Sequence, residues 1–154
     1  MNDKHDSGIN EFSFEQNAGP EIEAQRTWVA LHSTNQLDVA PIFSDDRRLQ
    51  CNVWLNDVRA IKNGDIYDIG NHASLPIPKA SIHYYDSHTG GGFRDVKSGK
   101  LYIDHYDLSK QQLTFHFESY IEQNGLTVAL AGRGNINEII ESSKLPAEAR
   151  KTFE

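Results

Sequence analysis

The chain is poor in sulfur and in basic residues, and it has no long apolar run. Its 154 residues include one cysteine, Cys51, and one methionine. A single thiol excludes an intrachain disulfide framework and a cysteine-rich zinc site. No window reaches the roughly 18 consecutive apolar residues that a membrane-spanning helix needs, so no membrane span is expected. The first residues, MNDKHDSGINEF, lack the basic start and apolar core of a secretory signal, and a cytoplasmic location follows by default. Lys and Arg number 15 against 22 Asp and Glu, a formal net charge of −7. That deficit argues against nucleic acid as a partner, because cations must replace the counterions of its phosphates. The same charge would steer a basic partner toward the protein.

What the chain does have is alternation. Leu101, Ile103 and His105 alternate with Tyr102, Asp104 and Tyr106, and Leu113, Phe115 and Phe117 alternate with Thr114, His116 and Glu118. Val128 and Leu130 follow the same rule. Apolar residues at every second position put one face of a strand on a core and the other toward solvent. Similar patterns mark 27–32, 37–43, 49–58, 66–69 and 80–85, with Pro41 confining its strand to an edge or an end. Turn chemistry separates them: Ser44-Asp45-Asp46-Arg47, a hairpin-type Asn63-Gly64-Asp65, and Gln123-Asn124-Gly125. Near the end, Pro146 stands in the first turn of a short helix over 147–151.

These features predict an all-β, mainly antiparallel fold. It is a small β-barrel or β-sandwich of about eight strands with a short C-terminal helix. Residues 1–24 read as a flexible N-terminal leader and 25–154 as a single β-rich domain. Within the leader, Phe12 and Phe14 are spaced as in a short edge strand, or are two aromatics in a tail. A chain of this length buries roughly two-thirds of its unfolded surface, so a core needs no staples.

Chemistry-bearing residues are scattered. There are seven histidines, and imidazole is a common ligand for zinc, copper or iron. His83, His105 and His116 are the weak metal candidates, but no pair has the spacing of a known metal motif. Alternation sets His105 with Leu101 and Ile103, and His116 opposite Phe115 and Phe117, so the two share a face only if the hairpin register allows it. The stretch Asp86-Ser87-His88-Thr89-Gly90-Gly91-Gly92 joins a nucleophile type, a base type and a glycine run. It has no Gly-x-Ser-x-Gly elbow and fails the phosphate-loop pattern, so a loop needing positive φ angles is the simpler reading. Cys51 falls in the apolar set of its strand and reads as an inert buried thiol. Trp28 and Trp54 fall on the less apolar faces of theirs, and with the tyrosines they form ligand-cavity lining, interface anchors or ordinary packing.

With no catalytic or cofactor motif, a non-enzymatic protein-binding domain with a basic partner is the favoured reading, and no cofactor is expected. A bacterial inhibitor or toxin-neutralising immunity protein is one concrete version. Trp28, Trp54, Tyr85, Asp86, His88 and Arg94 are the candidate ligand- or partner-binding residues. The alternative is a lipocalin-like barrel for a small apolar ligand, or an enzyme built on such a barrel with His and Tyr chemistry.

Overall fold

The computed structural model describes residues 9–44, 48–70, 76–87, 94–96, 98–123 and 125–153. Among the described residues twelve strands run in chain order: β1 (Glu11–Gln16), β2 (Ile22–Glu23), β3 (Arg26–His32), β4 (Gln36–Ile42), β5 (Leu49–Asn56), β6 (Ile66–Asp68), β7 (Ala80–Asp86), β8 (Arg94–Asp95), β9 (Ser98–Asp107), β10 (Gln112–Gln123), β11 (Leu126–Ile136) and β12 (Ile140–Glu141). They form two six-stranded sheets. Sheet A has the order β2-β1-β11-β10-β9-β6, and sheet B the order β12-β3-β4-β5-β7-β8. Every ladder between strands is antiparallel except β12 against β3. The all-β, mainly antiparallel expectation therefore holds. Of its two architectures the protein takes the sandwich: the sheets do not close into a barrel. The count exceeds eight because β2, β8 and β12 are two residues long, too short for alternation to register.

The space between the sheets is filled by side chains. Leu37, Val39, Cys51, Val53, Leu55 and Ile82 from sheet B meet Leu101, Ile103, Leu113, Phe115, Phe117 and Leu130 from sheet A in one buried cluster. A lipocalin-like enclosed cavity therefore has no counterpart among the described residues. Phe12 and Phe14, at 3% and 1% exposure, belong to this cluster. Their strand lies inside sheet A, between β2 and β11, rather than at its edge. Residues 9–16, grouped with the leader by their polar neighbours, thus contribute to the core.

Packing around β11 depends on two glycines. Gly134 is the register partner of both Phe12 and Phe115, and Gly132 of both Phe14 and Phe117. A Cβ on Gly132 would sit 2.5 Å from the Phe117 ring, and one on Gly134 would sit 2.6 Å from the Phe115 ring. The missing side chains let rings from the flanking strands spread over the β11 backbone. Phe12 lies 6.3 Å from Phe115 and from Phe117, centroid to centroid.

Asn10, 5% exposed, joins three segments. Its Nδ2 donates to the carbonyls of Thr27 and Glu138, while its Oδ1 accepts from the N–H groups of Asn137 and Glu138. All four of its hydrogen-bonding positions are used where the chain crosses from sheet A to sheet B.

Pro41 sits in β4, an interior strand. The Ile42 carbonyl accepts from Gln25 N–H, so Ile42 turns its polar groups to the β3 side and Pro41, one residue earlier, turns to the β5 side. Pairing of β4 with β5 ends at Val39. The missing donor falls where no partner is left, in effect at a strand end. Asn63-Gly64-Asp65 forms a tight turn, with Asp65 N–H bonded to the Lys62 carbonyl and Gly64 at φ +84°. It leads into β6 without closing a hairpin, since β6 pairs with β9.

The helix α1 (Ala147–Arg150) has four residues and follows Pro146. It closes a second small cluster on the outside of sheet B, where Leu145 and Ala149 cover Trp28 and Ala30. No helix among the described residues is long and apolar enough to cross a membrane.

The glycine argument predicts an asymmetry. Gly132→Ala and Gly134→Ala are each expected to lower the unfolding free energy by about 2 kcal/mol through overpacking. Gly125→Ala meets no atom within 4 Å and should lose only about 1 kcal/mol for its positive φ. Urea unfolding midpoints check this, and equal losses at all three positions would refute the packing account.

Candidate protein-interaction face

The residues singled out in the sequence divide between several places. Trp28 is 3% exposed, beneath the C-terminal segment, so it supplies packing rather than surface. Trp54 and Tyr85 share the outer face of sheet B and are half-buried. Trp54 stacks on His83 with centroids 4.2 Å apart. Asp86 has the parity of the inward-facing Tyr84. Its carboxylate accepts from Gln16 Nε2 and from Tyr84 Oη, both at 3.3 Å, at one end of the sandwich. Burial and the nearby Asp86 charge push the Tyr84 hydroxyl well above the usual tyrosine range. His88 lies outside the described residues, as do Thr89 and the three glycines after it, and Arg94 enters only as a backbone partner of Tyr84 in β8. Trp28, Trp54 and Tyr85 therefore do not form one exposed patch.

The metal candidates do not converge either. His83 is on the outside of sheet B, whereas His105 and His116 are on the outside of sheet A, with the core between them. Among the described residues, no group of three His, Cys, Asp or Glu side chains is arranged to hold a metal ion. Cys51 is fully buried, and its desolvation pushes the thiol far above the range in which a thiolate forms. This fits the inert reading.

The structure assembles a different surface. Alternation along β9 breaks at a bulge. Phe115 pairs with Ile103 but Thr114 pairs with His105, so Asp104 is an extra residue with no partner on β10. Inserting one residue flips the faces that follow. His105, expected with Leu101 and Ile103 on the core side, instead points out of sheet A together with His116. The bulge also brings the Asp104 carboxylate to His116, where Nδ1 and Oδ2 are 2.8 Å apart. On its other side the His116 ring stacks on Tyr102, with planes 10° apart and centroids separated by 4.6 Å.

His116 stands in a row that crosses the sheet: Ser13, Arg133, His116, Tyr102 and Ile66 are successive register partners from β1 to β6. Above Ser13, Arg133 and His116 is an open groove of about 880 Å³, walled by Glu11, Glu21 and Glu23 on one side and Asp104 on the other. The cations of the face are already engaged. Arg133 Nη2 donates to Glu21 at 2.9 Å. Lys100 pairs with Asp68, which raises the proton affinity of its ammonium group. Glu11, Glu15, Glu23, Glu118 and Glu122 lie on the same face by register, and among the described residues none of them has an ion-pair partner.

Sheet B is different outside. Its outer face carries the half-buried Gln36, Asn52, Trp54 and Asn56, and the Asp38 carboxylate there is held at 2.6 Å from His32 Nε2. Burial raises the Asp38 pKa, and His32 and Gln36 oppose that shift. Among the described residues, the carboxylates without an ion-pair partner thus gather on the outer face of sheet A.

Chemically, this face can hold cations. His116 with Asp104 has the form of a base and its orienting carboxylate, but among the described residues no hydroxyl is hydrogen-bonded to His116. Ser13 lies two strands away, roughly 10 Å by strand spacing, and the Thr114 hydroxyl turns to Asn135 Oδ1 at 3.4 Å. No protein-family model, curated protein or solved structure matches the chain. Asp104 and His116 were visible in the sequence, but the bulge that joins them has no signal in the alternation of β9.

The placement of the two tryptophans is measurable. In the Trp54→Phe protein the remaining Trp28 should resist acrylamide quenching. A variant with Trp54 alone, Trp28→Phe, should be quenched several-fold more strongly. Equal quenching of both would contradict the covering of Trp28 by the C-terminal segment.

Proposed function

We propose that the protein is a non-enzymatic binding domain that docks a basic protein partner on the outer face of sheet A. One observation carries this: the unpaired carboxylates Glu11, Glu15, Glu23, Glu118 and Glu122 occupy one face, while Arg133 and Lys100 are tied to Glu21 and Asp68. Opposite charge across an interface speeds encounter and selects the partner. A bacterial inhibitor or toxin-neutralising immunity protein, acting by covering a basic surface of its target, is a specific form of this reading. The candidate surface moves from the aromatic residues of sheet B to the acidic strands of sheet A, because Trp28 is covered and the carboxylates are not.

A labelled decalysine peptide tests the face whatever the natural partner is. At low ionic strength it should bind, and its amide shift perturbations should map to β1, β10 and β11. Glu11→Gln with Glu23→Gln should weaken binding roughly fivefold to tenfold, since each removes a charge close to the peptide's own. Glu141→Gln with Glu148→Gln removes the same charge from the C-terminal segment and should change little. Equal effects from the two pairs would mean general attraction to an acidic protein and would overturn the assignment.

A further inference from the structure

We propose that the His116–Asp104 pair makes the hold of this face on a basic partner depend on pH, weakening it as the solution turns acid. This rests on the reading that a basic partner docks there. The argument starts from the bulge. It places the Asp104 carboxylate on the groove wall and also 2.8 Å from His116 Nδ1. Histidine is the side chain whose charge ordinarily changes between about pH 5 and 8. With the ring neutral, the Asp104 carboxylate keeps its full charge for a partner cation. With the ring protonated, Asp104 is engaged in an internal ion pair and the groove floor carries a new positive charge. Both changes oppose a cationic partner.

The surrounding charges give the change its sign. On β10 itself, Glu118 flanks His116. From β9, Tyr102 stacks on the ring, and Lys100 is occupied by Asp68. From β11, Arg133 is the register partner of His116 and is held by Glu21. Across β11, Glu11 and Glu23 complete the wall. No cation among these groups leaves the face on acidification to offset the one gained. His105 shares the face, but its Nε2 meets the Gln112 amide oxygen at 3.2 Å, a neutral partner, rather than a carboxylate of the groove. His32 and His83 are on the opposite side of the sandwich.

The experiment measures the decalysine dissociation constant at about pH 8 and about pH 5.5 at one low ionic strength. Affinity of the unmodified protein should fall about tenfold, the effect of a unit charge appearing about 6 Å from a partner charge in partly solvated surroundings. His116→Gln sits on an exposed strand face, should fold normally, and should show at most about a twofold change over the same interval. His105→Gln should behave much like the unmodified protein. By linkage, bound peptide must also lower the midpoint at which the His116 ring gains its proton, read from its carbon-bound proton shifts. An unchanged affinity between the two pH values, or an equal fall in His116→Gln, overturns this inference while leaving the docking face intact. Absence of binding at pH 8 overturns the docking reading, and this inference with it.

Discussion

At Gly132 and Gly134 the backbone of β11 lies against the rings of Phe117 and Phe115, with Phe14 and Phe12 on the neighbouring strand. Much else follows from this close approach. β11 carries β1 on one side and β10 on the other, so sheet A can bury aromatic rings on both flanks of one strand only if that strand has no side chains at the crossing points. Glycine in a strand interior ordinarily weakens it. Here the rings occupy the vacated volume, and aromatic contacts of this kind contribute roughly 0.5–1.5 kcal/mol each beyond their burial. The same rings reach the other sheet: Phe14 packs edge-on against Phe43 at 5.2 Å and Tyr84 at 6.2 Å. The inner face of sheet A is thus dense and apolar. Its outer face keeps the polar half of each alternating strand.

That division of faces makes the acidic surface possible. On each of β1, β9, β10 and β11 the residues between the core positions are forced outward together. Strand pairing then sets Ser13, Arg133, His116 and Tyr102 side by side although they are far apart in the chain. The bulge at Asp104 modifies the pattern at one place. It removes a ladder pairing and turns a carboxylate toward an imidazole. Bulges are common where a side chain has to be re-aimed, and this one supplies the only His–carboxylate contact in the groove among the described residues. Sheet B uses its outer face differently. Trp28 and Ala30 are covered by Leu145 and Ala149 of the C-terminal segment, which also clamps Arg26 to Glu148 at 3.0 Å.

Besides the core they share, the two sheets are tied together by a few hydrogen bonds. Asn10 bridges the start of β1, β3 and the passage from β11 to β12 with four hydrogen bonds. Gln16 of β1 reaches Tyr84 and Asp86 of β7 at one end. Buried polar groups offset their desolvation only when fully partnered, and Asn10 meets that condition. These contacts tie the acidic strands of sheet A to sheet B.

The sequence by itself determined the class of fold and the composition of the two sides of each strand. A period of two is a local property, readable from Leu113, Phe115 and Phe117 without knowing what they touch. It also determined that Cys51 faces inward, since Val53 and Leu55 share its parity. Only the tertiary structure decided which polar sides come together. Whether His105 faces the core or solvent turned on a single extra residue, and alternation cannot show a bulge because residues on either side of it still alternate. Whether Trp28 is surface or packing turned on where the residues from Leu145 to Phe153 fold back. Whether the sheets close or stack turned on long-range pairing, which leaves the same local pattern in both cases. The acidic face has the same origin: its carboxylates are spread along the chain, and only strand register, a relation between distant residues, gathers them.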